Sequence, residues 1–466
     1  MAPLWIAADA AAATGGSSRT NWTATGVSID SRSVSAGDLF VALRGPNHDG
    51  HDFVGTALER GAVAAMVDRE IPHSSPTQLL RVADTLVGLA SLGAAARNRS
   101  SARIIAITGS VGKTSTKEAL RLALAACNST FASAGGLNNH WGAPLSLARL
   151  PPEAAYGIFE LGMNHAGEIA ALTRLVRPHV AVITTIEPAH LGFFPSIKAI
   201  TDAKAEIFLG LEPGGFAVLN RDNPHFARLA AVGRACAAGV VSFGTHPEAT
   251  VRLVEYLLEP HSSIFAVALP ELTLRCRLPV PGRHWVMNAL AALAAVTAVG
   301  ADPRCAVEAF AGLEELPGRG RRYELSWQGG TLTVLDESYN ASPAAMRAAL
   351  AVLAAISPAT GARRVAVLGD MLELGEATER FHRELAEPLA RAAVDRVFLV
   401  GRAVAALYDV LPDSNRGGLW STADEAIPEL LCFLRAGDVL TVKGSRGIGL
   451  GYIVERLRAE SARTET

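Results

Sequence analysis

From about Ile104 the chain repeats one pattern: a short β-branched run, a polar or glycine-rich turn, then an alanine- and leucine-rich helical stretch. That alternation is the signature of an α/β fold, with helices packed on a mostly parallel sheet. It predicts strands at 103–108, 156–161, 180–186 and 216–219, with a helix over 114–126. A second series begins near Thr331, with strands expected at 332–335, 364–368, 396–400 and 439–442. The turn-rich Leu316-Pro317-Gly318-Arg319-Gly320 is the natural hinge before it. In the first hundred residues the runs are shorter, and Ser28-Ile29-Asp30-Ser31-Arg32 and Asp38-Leu39-Phe40-Val41-Ala42-Leu43 alternate with Gly, Asn and Asp turns. Three units over 1–98, 99–316 and 317–466 follow, which suits 466 residues at roughly 150 per domain.

The charge balance removes some functions. Lys and Arg number 43 against 45 Asp and Glu, so no basic surplus exists to bind a nucleic-acid backbone. The longest greasy stretch, 289–301, is alanine-rich, broken by Thr297 and Gly300, and shorter than the ~18 residues that span a bilayer. It reads as a buried helix. The first residues lack a basic segment and carry Asp9 where a signal peptide would stay apolar, so a cytoplasmic protein is expected. Cys127, Cys236, Cys276, Cys305 and Cys432 are widely spaced, form no CxxC pair, and read as small core residues.

The sharpest local signal is Ile107-Thr108-Gly109-Ser110-Val111-Gly112-Lys113-Thr114-Ser115, set between a strand and a helix. It misses the strict G-x-x-x-x-G-K-[ST] spacing because its first glycine comes two residues late. The physics survives. Glycines let backbone N–H groups close on phosphate oxygens, the helix start adds a positive dipole end, Lys113 can reach outer phosphates and Thr114 can bind Mg²⁺. Further oxygen ligands belong at neighbouring strand ends, where Glu160 closes an apolar run and His190 follows the 180–186 run. A buried acid is costly unless paired with a metal or a donor.

Together with 138–145 (Asn-Asn-His-Trp-Gly-Ala-Pro-Leu), 160–169 (Glu-Leu-Gly-Met-Asn-His-Ala-Gly-Glu-Ile), 336–341 (Asp-Glu-Ser-Tyr-Asn-Ala), 368–375 (Leu-Gly-Asp-Met-Leu-Glu-Leu-Gly) and 443–446 (Lys-Gly-Ser-Arg), this loop resembles the Mur ligases. These are ATP-dependent peptide-bond-forming enzymes of bacterial cell-wall synthesis. The motif set is similar to the branch that joins D-alanyl-D-alanine to UDP-N-acetylmuramoyl-tripeptide. The resemblance implies a small N-terminal α/β domain for the UDP-sugar, a central P-loop ATPase-like domain and a C-terminal Rossmann-like domain that closes over the nucleotide. It implies phosphate binding by Gly109, Ser110, Val111, Gly112, Lys113, Thr114 and Ser115, and Mg²⁺, in two ions, at Thr114, Glu160, His190 and Lys204. Lys204 matches a position that relatives carbamylate, converting an ammonium into an anion that suits a metal. Lys113, Glu160, His190 and Lys204 form the expected catalytic set.

The resemblance further implies an adenine contact at Asn288, a terminal-phosphate contact at Arg319 with Arg321 and Arg322 as neighbours, and a ribose contact at Asp336 or Glu337. Ser31, Arg32, Gly45, Asn138 and Asn139 would take the UDP-peptide. A single chain carrying all three domains can work as a monomer. The sister branch that adds a diamino acid carries Asp-Asn-Pro-Arg in the third domain, whereas Asp222-Asn223-Pro224-His225 here lies in the central one. Folylpolyglutamate synthase-like ligases share the loop but not the 338–341 and 369–371 segments. A P-loop switch or motor would instead hydrolyse ATP without an amine acceptor.

Overall fold

A computed structural model describes residues 3–71 and 78–464. Their strands form a nine-stranded, a six-stranded and a five-stranded sheet, plus a two-stranded ribbon. The nine-stranded sheet runs, edge to edge, through Thr273–Leu278, Ser263–Ala268, Val251–Leu258, Gly239–Gly244, Phe216–Asn220, Val180–Ile183, Arg103–Thr108, Tyr156–Glu160 and Thr130–Ala132. From Val251–Leu258 across to Thr130–Ala132 neighbouring strands are parallel, and only the last two at the other edge turn back antiparallel.

Alternation along each strand builds two cores. Ile105, Ile107, Val180 and Val182 face one side, where Leu120 and Leu124 of helix Lys113–Ala125 and the helix Arg283–Val299 cover them. Ile104, Ala106, Ala181 and Ile183 face the other, with Phe159, Ile200 and Phe208. The alanine-rich run is the helix Arg283–Val299, and from Ala289 to Val296 it is fully buried. Small side chains let it lie close against the sheet beneath the phosphate loop.

The strand expected over 180–186 ends at Ile183. The next residues leave the ladder to hold the loop: Thr184 Oγ1 donates to Val111 O at 2.6 Å, and Ser110 N donates to Thr185 O at 2.9 Å. Likewise 28–32 is strand only over Gly26–Ser28, because Asp30 turns the chain by accepting from the Arg32 N–H at 3.0 Å. The cysteines do not all enter the core. Cys276 is buried, while Cys236 and Cys432, near helix ends, are exposed.

The six-stranded sheet runs Arg321–Trp327, Gly330–Glu337, Val439–Lys443, Arg364–Gly369, Arg396–Val400 and Arg416–Trp420, antiparallel only at its first pair. The five-stranded N-terminal sheet is locked to the central one. Trp5 Nε1 donates to Ala148 O at 2.8 Å, Arg149 Nε to Val27 O at 2.6 Å, and the Arg99 guanidinium stacks 4.1 Å above Trp5.

Candidate active site

Strand Arg103–Thr108 delivers the chain to the glycine loop at its C-terminal end, and helix Lys113–Ala125 carries it away. Gly109 has φ +149°, and a Cβ there would stand 1.9 Å from Thr184 Oγ1. Gly112 has φ +82°, and a Cβ would stand 2.5 Å from Asn288 Oδ1. Both positions therefore require glycine, and the second places Asn288, expected at the adenine, directly against the loop. Lys113 Nζ folds back to donate to Gly109 O at 2.8 Å.

Beside the loop lies an oxygen cluster. Glu160, 2% exposed at its strand end, accepts from Thr114 Oγ1 at 2.9 Å and from Asn138 Nδ2 at 2.8 Å. No group of three His, Cys, Asp or Glu side chains suited to a metal occurs among the described residues. One carboxylate and one hydroxyl match what Mg²⁺ asks of a protein when substrate phosphates and water fill its remaining positions.

Cations converge on the same place. Burial lowers the Lys113 pKa, with Arg319 adding to that effect and Glu160 opposing it. Lys204, on helix Ile197–Ala205, is 1% exposed, and its Nζ has no hydrogen bond or ion pair among the described residues. Burial, then the Lys113 charge, pushes its pKa well below the ordinary lysine value. An unpaired amine on a buried lysine, close to another cation, favours an anion beside it. His190 feels the charges of both lysines, and its Nδ1 stands 2.6 Å from Glu373 Oε2 of the C-terminal unit.

The family models cover the loop, Glu160, His190, Lys204 and Glu373. Residues 107–296 match the Mur ligase middle domain, 321–446 the Mur ligase, glutamate ligase domain, and 23–119 the Mur ligase family, catalytic domain. The UDP-N-acetylmuramoyl-tripeptide–D-alanyl-D-alanine ligase of Escherichia coli K12 is 36% identical over 439 residues, 94% of each chain. The chain belongs to the Mur ligase family. The same-named protein of Rickettsia prowazekii is 33% identical over 92% of this chain and 94% of its own. Among solved structures, MurF from Acinetobacter baumannii superposes with a TM-score of 0.84 at 32% identity, covering 98% and 99% of the two chains. MurF ligase from Thermotoga maritima, solved in complex with ADP, gives 0.77 at 26% identity over 94% and 98%.

In this Mur ligase the hinge and the C-terminal unit close the site from the other side. Arg319 stacks 4.0 Å over the Tyr339 ring, and Arg446 stands 5.6 Å from that ring. Asp336, 6% exposed, is a hinge staple whose carboxylate accepts from Gly318 N at 2.9 Å, Ser338 N at 3.1 Å and Ser338 Oγ at 2.6 Å. Glu337 is paired with Lys443 at 3.2 Å. Of the two, Glu337 has the more adaptable partner. Trp285 is buried in the core near the hinge, its Nε1 3.9 Å from where a Gly320 Cβ would lie.

The residues expected at the UDP-peptide divide. Ser31 and exposed Arg32 lie on the N-terminal unit, with Arg32 bidentate to Asp30. Gly45 faces Trp141 of the central unit, 3.4 Å from a would-be Cβ. Asn139 is committed to a turn, its Oδ1 accepting from Gly142 N at 2.9 Å, while Asn138 belongs with Glu160. Asn223 of the misleading Asp-Asn-Pro triplet pins the segment after Ile183, donating to Thr185 Oγ1 and Ile186 O at 2.9 Å each. Thr184, Lys117, Tyr339 and Glu373 escaped the reading of the sequence as site residues. Lys117 is buried and ties Ser133 O, at 2.7 Å, to the phosphate-loop helix. Its signal was a lysine four residues after Lys113, one turn along the same helix.

Proposed function

We propose that this Mur ligase uses ATP to join D-alanyl-D-alanine to UDP-N-acetylmuramoyl-tripeptide, making the pentapeptide precursor of peptidoglycan. The observation that carries the reading is the Thr114–Glu160–Asn138 cluster beside the glycine loop, with Lys113 within its field and Arg319 and Lys204 in turn close to Lys113. Near-full-length similarity to ligases of that name supports the choice of substrates.

The tripeptide's terminal carboxylate oxygen attacks the γ-phosphorus, the bond to the β-phosphate oxygen breaks, and ADP leaves. The amine of D-alanyl-D-alanine then attacks the acyl carbon, the acyl–oxygen bond breaks, phosphate departs, and the nitrogen loses its proton. Oxide is an impossible leaving group and phosphate a good one. The protein's part is to align the two reactants and to set cations where charge develops. Lys113 and Arg319 serve the phosphates, and the loop N–H groups orient them. Thr114 and Glu160 would hold Mg²⁺, with His190 and a carbamylated Lys204 at a second ion; the metal supplies charge neutralisation at the transferring phosphoryl group. Asn288 would meet adenine, Glu337 the ribose, and Ser31, Arg32 and Gly45 the UDP-sugar.

We read the three units as 1–98, 99–316 and 317–466. No helix among the described residues is long and apolar enough to cross a membrane. A monomeric enzyme in the cytoplasm, where its nucleotide substrates are, fits this reading, as does a role in cell-wall formation and hence cell shape and division. The test is ADP release with UDP-N-acetylmuramoyl-tripeptide, with and without D-alanyl-D-alanine. Carboxylate ¹⁸O should appear in released phosphate; its absence there rules out the acyl phosphate.

A further inference from the structure

Five non-glycine residues have positive φ among the described residues, and two of them, His190 at +61° and Glu373 at +65°, meet across the cleft between the central and C-terminal units. Left-handed backbone in non-glycine residues persists where the surroundings impose it, and it concentrates at functional sites. Here the surroundings are each other. His190 Nδ1 lies 2.6 Å from Glu373 Oε2, and Gly192 N donates to Glu373 O at 2.8 Å. Gly375 has φ +58°, and a Cβ there would stand 3.3 Å from both Gly192 Cα and Leu191 O, so the two backbones touch. Leu191 packs against the hydrophobic core of the C-terminal unit.

The Glu373 side is rigidly mounted. Met371 N donates to His382 Nε2 and Leu372 N to Ser445 Oγ, each at 2.9 Å, and Asp370 accepts from Arg402 N at 3.1 Å and Val404 N at 2.8 Å. Glu373 is therefore presented by a braced loop, although its side chain remains 40% exposed.

The geometry points to Glu373 as a positioning residue that couples closure of the C-terminal unit to the setting of His190. A carboxylate accepting the Nδ1–H fixes the imidazole tautomer and ring plane and leaves Nε2 as the nitrogen with a free lone pair, the form in which histidine binds a metal. In an open molecule Glu373 moves away with its unit, and the ring loses that partner. Closure would thus complete the metal site and enclose the nucleotide in one movement. This inference rests on the metal role proposed for His190.

The test uses the full-length protein with a fluorophore pair across the cleft, and the variants Glu373→Ala, Glu373→Gln, His190→Ala and Glu373→Ala/His190→Ala. Closure is titrated with Mg²⁺ at saturating ADP, without peptide or dipeptide. Loss of such an outer partner costs roughly 10–100-fold in metal affinity or activity; Glu373→Ala should shift the Mg²⁺ midpoint upward by about tenfold or more and lower kcat on that scale. KM for the UDP-peptide, held by the other two units, should stay within about twofold. Glu373→Gln, which keeps an accepting oxygen, should recover part of both losses. If Glu373 acts through His190, the double variant will be no slower than His190→Ala. Wild-type closure and kcat in Glu373→Ala, or additive losses in the double variant, overturn the proposal. Failure of the wild type to turn over the proposed substrates would instead strike the functional reading, because the ADP titration needs neither substrate.

Discussion

At the scale of single residues, Lys113, Glu160 and Lys204 lie close together but should fail in different ways. Lys113 makes one hydrogen bond, to Gly109 O, which it can exchange for a phosphate oxygen. Losing a preorganised contact of this kind costs roughly 10²–10³ in rate, and no added metal replaces it. Glu160→Ala removes the carboxylate proposed to hold Mg²⁺ and strands Thr114 Oγ1 and Asn138 Nδ2. Its kcat should fall on the same scale, yet recover in part as Mg²⁺ is raised, whereas Lys113→Ala should not; equal responses in the two Mg²⁺ titrations would undo the assignment. Lys204 differs again, because its amine is buried beside Lys113 without a partner. Burial and the Lys113 charge disfavour its charged form, in the direction that reaction with CO₂ requires, and the proposed carbamate would turn two repelling cations into an attractive pair. A ¹³CO₂ NMR signal should appear in the wild type and vanish in Lys204→Ala. Short carboxylates should restore some activity to that variant, but not to Lys204→Arg, which keeps the positive charge and fills the space.

At the scale of elements, the junction of the central strands is sensitive to acid. His179 precedes strand Val180–Ile183; its Nδ1 accepts from Ile104 N at 2.9 Å, its N donates to Ile104 O, and its O accepts from Phe216 N. It thereby joins three strands. Burial, then Arg103 and Arg97, lowers its pKa to about 4 from an ordinary 6.5. Between those values the unfolded chain binds the extra proton and the folded chain does not. Stability should accordingly decline as pH falls through that window and level off below about 4. Asn at this position retains an acceptor without titrating. The stability difference between wild type and His179→Asn, from urea midpoints, should shrink or reverse toward about pH 4.5; parallel curves would remove His179 as the cause.

The same sheet shows what one chain discloses about itself. The central strands near 103, 156, 180 and 216 were legible because each is an apolar run bounded by turns, whereas the parallel Gly239–Gly244 was not; the phosphate loop was legible because Gly-Lys-Thr at a strand-to-helix turn carries its mechanism even off the strict spacing. Thr130–Ala132 and Arg416–Trp420 were not, the first being only three residues long and the second opening with Arg-Gly-Gly, and both lying at sheet edges. The Val251–Leu258 to Thr273–Leu278 meander was hidden because its faces break the in/out alternation: Val254, Tyr256, Leu257 and Leu258 are apolar yet exposed, and exposed Arg275 and Arg277 interrupt the last strand. Among site residues, Glu160 could be found from a local conflict, an acid closing an apolar run. Glu373 could not: it lies 183 positions from His190, and only the docking of two units brings them together.

At the scale of the molecule, the two interfaces of the central unit are built differently. The N-terminal unit is fastened by side chain-to-backbone bonds, buried from Trp5 and partly buried from Arg149, and by the Arg99–Trp5 stack, with Leu145 and Ala148 of the central unit sharing its core. Across the other interface the contacts are fewer and, beside Leu191 packed on the C-terminal core, more polar: the His190–Glu373 pair, the bond from Gly192 to Glu373, and the approach of the Tyr339 hydroxyl to within 2.9 Å of a would-be Gly136 Cβ. The connecting hinge holds Gly318 at φ +72° and Gly320 at +101°, backbone angles that favour glycine, and Asp336 ties both glycines to the C-terminal unit. A small polar interface on a glycine hinge is the kind that opens, and a large apolar one is not. Spin labels should therefore report a fixed distance between N-terminal and central units, with or without ligand. The central to C-terminal distance should be broad in the free protein, and should narrow to a single short value with a non-hydrolysable ATP analogue and UDP-peptide together. In that state Arg319 would reach the terminal phosphate, and water would be excluded from the acyl phosphate while it waits for the amine. Should the N-terminal distance move as much as the C-terminal one, or neither respond to saturating ligands, the hinge at 316–320 is not the moving part.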